Sequence, residues 1–145
     1  MMPKFSREEL IERAFLRAAT VMFGMWEERG SSDTRLLIPP LIPDEFVIIG
    51  ESINGREHRE HIIPRVVICN QCHKMFSEGV DINTVARFIR NNLKIIYISK
   101  DEQHLLDNGK QLNLRQRMPT GWSFESGDIY VRLNTAKIEF RIYDL

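Results

Sequence analysis

Two cysteines, Cys69 and Cys72, are too few for a disulfide framework. Twenty Lys and Arg stand against twenty Asp and Glu, so the formal net charge is zero. Proteins that hold nucleic acid mainly through backbone electrostatics are usually basic, so such a role here requires a local basic patch. No stretch reaches the roughly 18 apolar residues of a membrane span, and no membrane association is expected. The start, MMPKFSREEL, has no apolar run behind a basic opening, so no secretory signal is expected either. A cytoplasmic setting with reduced thiols is the resulting expectation. Glycine-rich phosphate loops, Walker patterns and nucleophile elbows are missing, which removes the commonest nucleotide-binding and serine-hydrolase signatures.

What is present is the balance of a folded domain. The chain has 145 residues, 43% of them hydrophobic and 28% charged, a length and composition that can bury one core. A single α+β domain over 1–145 is expected, with an N-terminal helix in 1–30, a proline-rich connector in 36–45 and an α+β core in 46–145. SREE at Ser6 to Glu9 is a capping box. Leu10, Ile11, Ala14, Phe15, Ala18, Met22, Met25 and Trp26 follow at helical spacing, and Gly30 ends the run. LLIPPLIPDEF has three prolines in five residues, which forbid helix and disfavour a central strand. The Met- and Trp-containing helix and this arm are the expected surface for a protein partner, including a second copy of the chain in a homodimer.

FVIIGESINGREHREHII predicts a β-hairpin turned at Asn54-Gly55, where both positions tolerate positive φ. RVVICNQCHKMFSEG and DINTVARFIRNN predict a pair of helices around Gly79. LKIIYIS predicts a buried strand. Ser99 and Glu102 form a second capping box, starting a helix that ends near NGK. In the tail, Ile138, Phe140 and Ile142 alternate as a strand does. DIYVRLNTA reads either as a strand or as a short capped helix.

The run GREHREHIIPRVVICNQCH holds three of the four histidines and both cysteines within nineteen residues. A structural zinc wants four N or S ligands, commonly in two close pairs, and only one Cys pair exists here. On a helix Cys69 and Cys72 lie one turn apart, and Cys72 falls on the apolar face, so core packing rather than a structural zinc is the expected role.

EHIIP resembles the first motif of the His-Me finger superfamily, also called HNH nucleases. The resemblance covers roughly residues 59–106. It implies a ββα core that engages nucleic acid, and metal-dependent hydrolysis of a phosphodiester by a single divalent cation, Mg²⁺, Mn²⁺ or Zn²⁺. Carried over by motif, it implies His61 as the general base, Glu60 as a metal ligand, Asn92 as the Asn that braces the loop or the base, and His104 as the second ligand. Asp101 lies nearer the family's usual position for that ligand and would substitute as an oxygen donor. The segment between His61 and Asn92 is longer than the family's usual loop, and the family's zinc-knuckle cysteines are absent. Without a site, the same residues would be a hairpin whose polar face carries Arg56, His58 and Glu60 in water.

QCHKMFSEGVDINTVARFIR resembles a helix-turn-helix, with Gly79 at the turn and Val85 and Phe88 at the buried positions of the second helix. That resemblance would aim Asn83, Thr84, Arg87 and Arg90 at DNA, although Met75 stands where a small residue is usual. The bland alternative is a helical hairpin packed on the sheet. Arg87, Arg90, Lys94 and Lys100 are the candidate nucleic-acid-binding cations, followed by Lys110, Arg115 and Arg117, with acidic residues interspersed as on a solvated surface.

The run from REHIIPR through ISKDEQHLLD to MPTGW is also similar to short, uncharacterised proteins of bacterial and prophage genomes. That likeness implies a bacterial or phage setting, in which a non-enzymatic inhibitor of host defence, an accessory protein or a DNA-binding regulator is the alternative to an endonuclease.

Overall fold

Helix α1, Arg7–Arg29, is started by the predicted capping box: Ser6 Oγ accepts from the Glu9 N–H and the Glu9 carboxylate accepts from the Ser6 N–H. It ends at Gly30, which takes left-handed φ of 75° and donates its N–H to the Trp26 carbonyl at 2.7 Å. The inward stripe is narrower than the predicted face. Ala14, Phe15, Ala18, Ala19 and Met22 are buried, while Leu10 is 38% exposed and Ile11, Met25 and Trp26 are half-buried. Phe23, Trp26 and Phe76 form an aromatic cluster, with the Phe23 and Phe76 rings edge to face at 5.2 Å.

The structure, a computed structural model, describes residues 4–108 and 112–144. Gly109 and Lys110, at the expected end of the helix near NGK, lie outside the described residues. Two compact units divide the chain, one of Met1–Phe46 with Cys69–Asn91, the other of Val47–Ile68 with Asn92–Leu145. The first contains α1, two 3-10 turns at Thr34–Leu37 and Asp44–Phe46 in the proline-rich segment, most of helix α2 (Arg65–Ser77) and nearly all of helix α3 (Ile82–Asn92). Among the described residues no helix is long and apolar enough to cross a membrane.

The second unit is a four-stranded mixed sheet with α4 (Lys100–Asp107) and α5 (Val131–Thr135), completing an α+β fold. Strands β1 (Ile48–Ser52), β2 (His58–His61), β3 (Ile95–Ile98) and β4 (Phe140–Ile142) lie in the order β2-β3-β1-β4. The predicted hairpin is therefore corrected, because β3 sits between β1 and β2, parallel to the first and antiparallel to the second. The reason lies in the side chains. β3 reads IIYI with three residues buried, as a strand covered on both faces must. β2 reads HREH, and such polar groups are tolerated at an edge.

The Asn54-Gly55 turn survives without becoming a primed hairpin turn. Only Gly55 has positive φ, at 151°, and the Asn54 N–H is held by Ser52 Oγ at 3.0 Å. In the tail, DIYVRLNTA forms helix, not strand, across Val131–Thr135. Asp128 organises its entry by accepting from the Tyr130 N–H and from Asn134 Nδ2, each at 3.0 Å. Only β4 remains of the two alternating tail segments, and it docks where Gly50 lets the Arg141 backbone approach, since a Cβ at Gly50 would collide with the Arg141 carbonyl.

Candidate functional site

β2 and β3 pair in antiparallel register, His58 opposite Ile98, Glu60 opposite Ile96 and His61 opposite Ile95. α4 starts one residue beyond β3, at its Ser99 cap. β2, β3 and α4 thus give two paired strands followed by a helix, although α2 and α3 intervene in the chain between the two strands. Asn92 is the last residue of α3, three positions before β3. Asp101 and His104 lie one turn apart on the exposed side of α4, whose buried residues are Glu102 and Leu106.

Glu60 and His61 are consecutive in an extended strand and so project to opposite faces. Glu60 shares its face with His58, whose Nε2 lies 3.5 Å from Glu60 Oε2. The other carboxylate oxygen accepts from Arg132 Nη2 at 3.3 Å. Arg132, on α5, is only 1% exposed. Its Nε donates to the Leu114 carbonyl at 2.8 Å, and its Nη1 donates to the carbonyls of His61 at 2.8 Å and Ile62 at 3.4 Å. One guanidinium therefore joins the end of β2, the loop at Leu114 and α5. Burial pushes the Glu60 carboxyl above its usual range, against the pull of Arg132 and His58.

His61 is held by its backbone, not its ring. Nε2 is buried with no hydrogen-bond partner, the one such side-chain atom among the described residues. Burial first, then the charges of Arg65, Arg59, Arg132 and His58, pull the imidazole from its ordinary 6.5 to about 3. A base in neutral solution works best with a pKa near the working pH. This ring is held far below it.

A shared cation needs donors that converge. Among the described residues no three His, Cys, Asp or Glu side chains gather to hold a metal ion. Glu60 is occupied by Arg132 and His58, His61 points to the other face, and Asp101 and His104 stand on the outer side of α4. Glu60 and His61, adjacent in β2, present their side chains to opposite faces and so do not form one ligand pair as arranged. Cys69 and Cys72 are both buried and not disulfide-bonded, and burial pushes the Cys72 thiol up, the behaviour of core cysteines.

The α4 cap is a second polar junction of the sheet unit. Glu102 Oε1 accepts from the Ser99 N–H at 2.8 Å, and Oε2 accepts from Ser52 Oγ at 3.0 Å and Asn54 Nδ2 at 3.1 Å. Burial opposes ionisation of this carboxyl, and the donors from Ser99, Ser52 and Asn54 overcome it, leaving it below its usual range.

In the helical unit, a groove of about 340 Å³ runs along α1 and α3, with Arg13, Arg87 and Arg90 in its lining. Arg90 forks onto the Glu8 carboxylate of α1 at 2.7 and 3.0 Å, and Arg87 donates to Thr84 Oγ1 at 3.1 Å. The outer face of α3 that the helix-turn-helix pattern aims at DNA is thus flanked by α1. Of the other candidate cations, Lys100 is exposed at the first position of α4, and the Lys94 carbonyl accepts from the Ile62 N–H at 2.9 Å.

Sequence reasoning missed Arg132, Arg13 and the Ser32–His73 pair. Arg132 sits between Val131 and Leu133, where a strand would turn it to solvent, so only the helix reveals its burial. Ser32 Oγ and His73 Nε2 lie 2.6 Å apart, the spacing of nucleophile and base. The opposite nitrogen of His73 has no orienting hydrogen bond among the described residues, so the pair lacks the third member of a triad. No protein-family model matches the chain, and no curated protein or solved structure matches it.

Proposed function

We propose that the chain acts by binding, as a non-enzymatic accessory or inhibitory protein, and not as a metal-dependent nuclease. The observation that carries this reading is the fate of Glu60 and His61. Glu60 is tied to Arg132 and His58, and His61 has a buried ring nitrogen and a pKa near 3. Both serve the fold. The binding surface belongs to the helical unit, where α1 leaves Leu10, Leu16 and Val21 exposed, Leu16 of them lining a groove with Arg13, Arg87 and Arg90.

Hydrolysis keeps one observation in its favour, the antiparallel pairing of β2 with β3 and the start of α4 directly after β3, with α2 and α3 inserted between the strands. A plasmid-nicking assay with Mg²⁺ or Mn²⁺ decides between the two. Supercoiled DNA is expected to stay intact with the native chain and with His61→Ala alike. Cation-dependent nicking that His61→Ala abolishes would overturn the binding reading and restore His61 as base.

A further inference from the structure

The α1–α3 groove brings three guanidinium groups together on two neighbouring helices. Arg13 is held by the face of Phe5, 4.1 Å from its centroid. Arg87 uses one of its five N–H donors internally, and Arg90 uses two on Glu8. Several donors therefore remain for a ligand. Against these three cations the lining holds one carboxylate, Glu12, and a neutral Asn83. The lining itself is therefore positive, while Glu8, Glu9 and Asp81 lie near Arg90, Arg13 and Arg87 at its margin.

The remainder of the lining is apolar. Phe15 and Ala86 are buried beneath it, and Leu16 is exposed beside it. The volume is at the small end of the range for ligand pockets, roughly 300–1,000 Å³. It admits a compact molecule and is narrow for a duplex.

We infer that this groove binds a small organic oxyanion, a carboxylate or phosphate monoester carried on a flat apolar body. Arg13 and Arg87 would fork the oxyanion, and Phe15, Leu16 and Ala86 would cover the apolar part. Arg90, already shared with Glu8, closes one side. The assignment stands apart from the question of hydrolysis, which the nicking assay decides alone.

The test is calorimetric titration of the full chain with 1-naphthyl phosphate, 1-naphthoate, inorganic phosphate and 1-naphthylmethylamine. Saturable binding of the naphthyl anions is expected, and the tighter of the two names the oxyanion. The amine is expected not to bind, and inorganic phosphate to bind more weakly. Arg87→Gln, at an exposed position, is expected to weaken the anion on the order of tenfold, as loss of a charge-assisted hydrogen bond implies. Glu12→Gln is expected to tighten it, because it removes the one negative charge in the lining. No saturable binding of either naphthyl anion would overturn the inference. So would equal binding of the amine, inorganic phosphate matching the naphthyl compounds, or affinities unchanged in both variants.

Discussion

Arg132 and Glu60 show why a buried charge is harder to remove than to keep. Arg132→Met would leave the Glu60 carboxylate buried beside His58 and would strand the carbonyls of Leu114 and His61. Breaking one side of such a pair costs about 3–5 kcal/mol, read as a lowered urea midpoint with unchanged slope. Glu60→Gln keeps an acceptor for Arg132 and is expected to lose less. His61 gives a pH signature. Its folded pKa is depressed from 6.5 to about 3, so the unfolded chain takes up a proton that the folded chain refuses. Stability from this group is complete above pH 6.5 and declines as the pH falls toward 3, by at most about 1.4 kcal/mol per pH unit. His61→Leu is expected to flatten that part of the stability profile, and an unchanged acid slope would count against the buried-neutral description.

Helix starts and strand contacts behave as local rules with tertiary partners attached. Ser99→Ala removes the cap of α4 and is expected to cost about 1 kcal/mol, measured by chemical denaturation. Glu102→Gln should weaken the same junction and also blunt a separate acid dependence. The Glu102 carboxyl is held below its ordinary 4.5 by Ser99, Ser52 and Asn54, so its contribution is present above pH 4.5 and is lost as the pH falls below it. Gly50→Ala should be worse than its helix or strand propensity suggests, because the added Cβ meets the Arg141 backbone and not a movable side chain. Loss of β4 docking would show as faster amide exchange at Ile53 and Tyr143, whose N–H groups bond to Glu139 and Ile49.

At the scale of the whole molecule, α2 belongs to both compact units, its first four residues to one and the rest to the other. A continuous helix melts cooperatively, so one unfolding transition is expected. Trp26 reports on the helical unit and Trp122 on the sheet unit. Trp26→Phe and Trp122→Phe should give coincident denaturation curves by fluorescence, and separated midpoints would show independent domains. Both capping boxes, the paired helices around Gly79 and the apolar strand at Ile95 were legible in the sequence, because capping geometry and apolar runs are set by residues within a few positions. Glu60 and His61 were legible as chemically interesting for the same reason. Their environment was not. Arg132 reaches Glu60 from 72 positions away, and the orphaned ring nitrogen of His61 exists only once the sheet and its flanking elements enclose it. Local sequence was enough to mark the starts of α1 and α4 and the buried strand β3. That β3 separates β1 from β2, that Glu60 meets Arg132 and that three arginines share one groove emerge only in the folded chain, because pairing partners and desolvation depend on residues far apart in sequence.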